Sequence, residues 1–132
     1  MPQPTYLTLM LEAYIECALW STTDNSNEQG GDPLDDNYDE TDLDPDTYAE
    51  MLEDCASFLN NASELLEMAP YILRTPYTAE QAGHDFWLTR NGHGAGFWDR
   101  GLGDIGDRLS DIARTYGSYD LYVTDDGKVA GN

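Results

Sequence analysis

Residues 1–73 contain seventeen Asp and Glu and not one Lys, Arg or His. No fold built from that segment alone can pair its charges. The carboxylates repel one another, so a compact state tolerates them on a solvated face, against cations from the rest of the chain, or against a cationic partner. Residues 74–132 carry nine acidic and six basic residues, so −17 of the total −20 lies in the first part. The densest stretch runs from Asp24 to Asp54, with thirteen carboxylates. This charge excludes sequence-independent binding to DNA, RNA or anionic membrane, which depends on Lys and Arg neutralising phosphates. It does not exclude a core: 40% of residues are hydrophobic and 11% aromatic, and 132 residues suit one ordered domain.

Periodicity predicts the elements. Pro4 suits a first helical turn, and Tyr6 to about Ser21 follows as a helix with a wide apolar arc and a narrow polar stripe of Thr8, Glu12 and Glu16. Residues 22–43 read as a mobile loop that Leu34, Tyr38 and Leu43 pin to the body. Asp44 as N-cap and Pro45 as first residue open a second helix, which Pro70 is expected to end. Thr78-Ala79-Glu80-Gln81 has the capping-box pattern of a short turn. Asp85 to Arg90 alternates as a strand, Asn91-Gly92 as a hairpin turn and Ala95 to Trp98 as the return strand. Leu102 to Tyr116 forms a third helix stopped by Gly117. Tyr119 to Val123, a turn at Asp126-Gly127 and a short strand from Val129 complete the chain. The expected fold class is α+β: two N-terminal helices packed with a small antiparallel sheet of hairpins and a third helix. The chain reads as a single domain, 1–132, with an acidic helical part at 1–73 and a β-hairpin, helix and β part at 74–132. The apolar run from Tyr6 to Trp20 has no basic flank and carries Glu12 and Glu16, so it reads as neither signal peptide nor membrane span. Cys17 and Cys55 fall on apolar helix faces and read as buried free thiols.

Two places invite chemistry. The first is the segment from His84 to Arg100, where His84, Asp85, Arg90, His93 and Asp99 form the candidate site of a small metal-dependent hydrolase or nucleotide-handling enzyme. Their spacing matches no established ligand pattern, and an aromatic hairpin with local Arg–Asp pairs explains the same residues. Gly92, Gly94 and Gly96 alternate but open no expected helix, so a phosphate cradle is a weak fit. The loop from Asp24 fails the calcium-loop register, with Gly30 at position 7 and Asp35 at position 12. No cofactor is called for.

The second place is the charge field. Asp35, Asp36, Asp39, Glu40, Asp42, Glu50, Glu53 and Asp54 combine a turn-rich segment with one helix face into a negative surface. A solvated acidic face is the ordinary explanation of a charge run. Adaptation to high salt would spread acids over the whole chain, and the near balance of residues 74–132 argues against it.

The text HDFWLTRNGHGAGFWDRGLGDIGDRL at 84–109, followed by YGSYDLYV at 116–123 and DDGK at 125–128, resembles a recurrent family of small acidic proteins of phage and prophage genomes. The stretch at 33–38 is similar more loosely. The resemblance implies expression in the cytoplasm of a bacterial host and carries no established activity. Together with the charge it leads to one expectation: a non-enzymatic inhibitor that mimics nucleic acid and occupies the site of a basic nucleic-acid-binding host protein, such as a restriction or CRISPR component. The rivals are the enzyme centred on His84 to Arg100 and an accessory protein whose acidity only keeps it soluble.

Overall fold

A computed structural model describes residues 5–24 and 31–132. Pro4, Glu28 and the central positions of the tested calcium register, 25–30, lie outside the described residues. The chain forms helix α1 (Tyr6–Ser21), strands β1 (Thr23–Asp24) and β2 (Asp32–Pro33), helices α2 (Pro45–Leu73), α3 (Ala79–Arg90) and α4 (Asp104–Arg114), and strands β3 (Leu121–Val123) and β4 (Val129–Gly131). Helix and sheet are mixed, broadly α+β, with two small antiparallel two-stranded sheets among the described residues.

Thr5 caps α1, its hydroxyl accepting from the Thr8 N–H at 3.1 Å. Met10, Leu11, Tyr14, Ile15, Cys17, Ala18 and Leu19 are all buried, so the helix is packed on several sides, and Thr8, Glu12 and Glu16 remain exposed. The segment after it is less irregular than a loop. Thr23 pairs with Pro33 and Asp24 with Asp32, and 3-10 turns follow at Leu34–Asp36 and Glu40–Asp42. Leu34 and Leu43 are buried and Tyr38 packs against the core, as their apolar character requires.

Asp44 caps α2, accepting from the Asp46 N–H at 3.2 Å. Met51, Cys55, Phe58, Ala62, Leu66 and Ala69 make its buried stripe, at the three- and four-residue spacing of one helix face. Pro70 does not end α2 but sits within its last turn. Leu66 O loses its donor there, and the helix runs three residues further to Leu73, closing where Arg74 turns left-handed at φ 58°.

The expected hairpin at 85–98 is not formed. Asp85 to Arg90 is the second half of α3. The capping box is real, with the Gln81 N–H donating to the Thr78 hydroxyl at 3.1 Å and the Thr78 N–H to Gln81 Oε1 at 2.8 Å, but it opens a twelve-residue helix. This helix is buried on most of its circumference, so no single face betrays its period. Asn91-Gly92 ends it: the His93 N–H donates to Leu88 O at 3.0 Å and the Gly92 N–H to Thr89 O at 3.2 Å, with Gly92 at φ 70°. That is a Schellman cap, which needs the same positive φ as a hairpin turn. In place of the return strand, Phe97–Asp99 is a 3-10 turn that buries Phe97.

α1 lies along α3, and α2 packs on α4. The first contact is close because position 83 is Gly: a Cβ there would stand 2.2 Å from Met10 O. Rings fill the centre. Phe58 stacks on Phe86 at 4.2 Å and on Phe97 at 5.6 Å, and Tyr14 stacks on Phe86 at 5.2 Å. β3 and β4 pair as Leu121↔Gly131, Tyr122↔Ala130 and Val123↔Val129. This hairpin docks on the start of α2, where the Asp44 N–H donates to Val129 O at 2.8 Å and the Gly131 N–H to the Thr47 hydroxyl at 3.0 Å.

Candidate acidic partner surface

Of the chain's six cations, Arg90 is buried and the other five lie at the surface. Arg90, at the end of α3, is 6% exposed. Its Nη1 donates to Asp54 Oδ2 at 2.8 Å and to the Tyr14 hydroxyl at 2.9 Å, its Nε to Gly117 O at 2.8 Å and its Nη2 to Tyr116 O at 3.0 Å. The rings of Phe86, Tyr116 and Tyr119 lie 5.4–5.8 Å from the guanidinium carbon. Burial opposes its charge, but Tyr14 and Asp54 outweigh that and hold its pKa above the usual arginine value. Arg90 is therefore a buried staple between α1, α2, α3 and the chain after α4, with four of its five N–H donors engaged.

Asp85 is equally committed. It is 2% exposed. Its Oδ1 accepts from Arg100 Nε at 2.9 Å and lies 2.9 Å from Arg100 Nη2. Its Oδ2 accepts from the Tyr77 hydroxyl. A carboxylate with both oxygens filled is a poor general base. Asp99 accepts from the Gly96 N–H at 3.1 Å and lies 3.9 Å from Arg100 Nε.

The two histidines do not converge. His84 borders a hollow of about 380 Å³ with Glu80, Gln81, Asp85 and Arg100. His93 borders another, of about 440 Å³, with Trp87, Asn91 and Asp120. Among the described residues no group of three or more His, Cys, Asp and Glu is placed to hold a metal. Gly92, Gly94 and Gly96 follow a helix rather than open one, and Gly96 is small because Thr89 and Trp98 close on it: a Cβ would meet each at 2.3 Å. The thiols are free and buried, and burial pushes the Cys17 pKa up to about 12.

The acidic candidates separate into three groups. Asp54 is spent on Arg90, and Glu50 accepts from the Tyr119 hydroxyl at 2.7 Å. Asp42 caps the second 3-10 turn, accepting from the Asp39 N–H at 2.9 Å. Asp36 and Glu53 are exposed and line no common hollow with the others. Asp35, Asp39 and Glu40 do converge. They face the α1 stripe across a groove of about 420 Å³, whose other walls are Glu12, Ile15, Glu16, Leu19 and Tyr38. Thr41 donates to Asp39 from its hydroxyl and its N–H, which holds that carboxyl below the usual range. Among the described residues no Lys, Arg or His lines this groove.

Glu12 and Glu16 are the members that sequence reasoning missed. Their signal was present: they stand four residues apart on an otherwise apolar helix, about 6 Å along its axis. What periodicity lacks is the partner wall, because the 3-10 turns that carry Asp35, Asp39 and Glu40 have no repeat to read. Beyond Glu12, Ile15 and Glu40 the groove opens into a second hollow of about 500 Å³, over Leu7, Leu11, Tyr48 and Leu52.

No protein-family model, no curated protein and no solved structure matches the chain. No helix among the described residues is long and apolar enough to cross a membrane.

Proposed function

We propose that this is a phage-encoded inhibitor, acting in the cytoplasm of a bacterial host, that occupies the nucleic-acid site of a basic host defence protein. The observation that carries the reading is the groove in which Glu12, Glu16, Asp35, Asp39 and Glu40 face one another with no cation among the lining residues. Five carboxylates set on two walls keep their mutual repulsion in the free protein. A surface of Lys and Arg relieves it on binding, and association is then fast and salt-sensitive. The family resemblance of residues 84–123 supplies the phage setting. The acidic set of the sequence contracts to Asp35, Asp39 and Glu40 and gains Glu12 and Glu16.

Capture from host lysate tests this. The proposal expects a nucleic-acid-binding protein that elutes with rising salt and is displaced by duplex DNA. Capture that ignores salt, or partners that bind no nucleic acid, overturns it in favour of an accessory protein whose acidity is solubilising.

A further inference from the structure

A field of carboxylates alone is satisfied by any polycation, but the floor beneath this rim is apolar. Leu7, Leu11 and Ile15 of α1 and Tyr48 and Leu52 of α2 line the second hollow, and Ile15, Glu12 and Glu40 are common to both. Tyr48 is 42% exposed and Leu52 37%. Along α1 the joined groove reaches from Leu7 to Leu19, roughly 18 Å at about 1.5 Å per residue. Phosphate mimicry has no use for exposed leucine and tyrosine between its charges. A side chain that is itself both basic and apolar-flanked does.

We infer that the groove takes one amphipathic basic helix of the partner, about three turns long, with its apolar stripe on Tyr48 and Leu52 and its Lys and Arg against the carboxylate rim. The walls decide for a helix over an extended strand. They are α-helix and 3-10 turn, whose backbone groups are used internally, so they offer no sheet edge to an extended segment. A helix brings its own hydrogen bonds satisfied. The inference rests on the reading of an acidic surface made for a basic protein, and narrows it from a field to a segment.

The test uses the whole protein and a labelled 14-residue helical peptide of Leu and Lys with its leucines on one face. A second peptide has the same composition and charge with the leucines dispersed. The one-faced peptide is expected to bind about tenfold more tightly. Tyr48→Ala with Leu52→Ala should bring it down to the dispersed peptide. Both side chains stand at the surface, so the fold survives. Glu64→Gln with Glu67→Gln, at the far end of α2, should leave the tenfold difference in place. Equal binding of the two peptides, with a shared salt dependence, overturns the helix groove but leaves the acidic-surface reading intact. Binding of neither peptide at low salt overturns both.

Discussion

Arg90 Nη1 stands 2.8 Å from Asp54 Oδ2, tying the end of α3 to the middle of the acidic helix α2. The two partners are not equivalent. The arginine side chain is 3% exposed and the aspartate 29%. Replacing Arg90 by Met strands Tyr116 O, Gly117 O and the Tyr14 hydroxyl as well as the carboxylate. We expect a loss of about 3–4 kcal/mol in urea unfolding. Asp54→Asn leaves Arg90 its other acceptors and should cost only about 1 kcal/mol, since water already reaches that carboxylate. Equal losses would show that the ion pair, rather than the set of acceptors, holds the end of α3.

Gly83 offers a second structural check. The Cβ of Gly83→Ala would stand 2.2 Å from Met10 O, a backbone atom that moves only if α1 and α3 part. Such overpacking should cost about 2 kcal/mol in thermal unfolding. Gly94→Ala, with nothing within 4 Å of the new methyl, should change stability by less than about 0.5 kcal/mol.

Alkaline pH should destabilise the protein once it passes the ordinary thiol and phenol range. Burial pushes the Cys17 thiol from its ordinary 9.0 to about 12, and it pushes the Tyr14 and Tyr77 hydroxyls upward too. Above pH 9 the unfolded chain releases protons that the folded chain keeps, so stability is fully present below that pH and falls as pH climbs toward 12. Urea midpoints measured from pH 8 to 11 should decline. In the same way, Cys17 should resist alkylation at pH 8 until denaturant is added, because the thiol is buried and burial disfavours the reactive thiolate.

Salt should stabilise. Exposed carboxylates that repel one another are screened beyond about 8 Å at physiological ionic strength. With a net charge of −20, raising sodium chloride from ~20 mM to ~500 mM should raise Tm by about 5 °C. Glu12→Gln with Glu16→Gln should raise Tm at low salt and shrink the salt effect. A Tm that falls with salt would mean that internal ion pairs outweigh the repulsion.

α1, α4 and the start of α2 were legible: they lie where Tyr6–Ser21, Leu102–Tyr116 and Asp44–Pro45 place them. α3 was not, because its burial is nearly all-round and its Asn-Gly exit is shared between helix cap and hairpin. Phe58 is fully buried in the α2 stripe and stacks on two other rings, which helical spacing alone does not reveal. Of the candidate chemistry, Arg90 and Asp85 drew attention for a sound reason, since charged residues amid aromatics are rarely idle. Their work is to hold the fold, and only their partners reveal that: Asp54 accepts from Arg90, and Tyr77 and Arg100 donate to Asp85. The groove needed tertiary structure, because its two walls come from residues some twenty positions apart.

The route of the chain has a consequence for its birth on the ribosome. The acidic part emerges first, with no cation of its own. α2 then waits for Phe86 and Arg90 to supply its packing and its countercharge, and its first turn waits longer still, for Val129 and Gly131 to bond Asp44 and Thr47. Docking of α2 therefore depends on residues synthesised after it: without Phe86 and Arg90 the acidic part lacks both its ring stack and its buried countercharge.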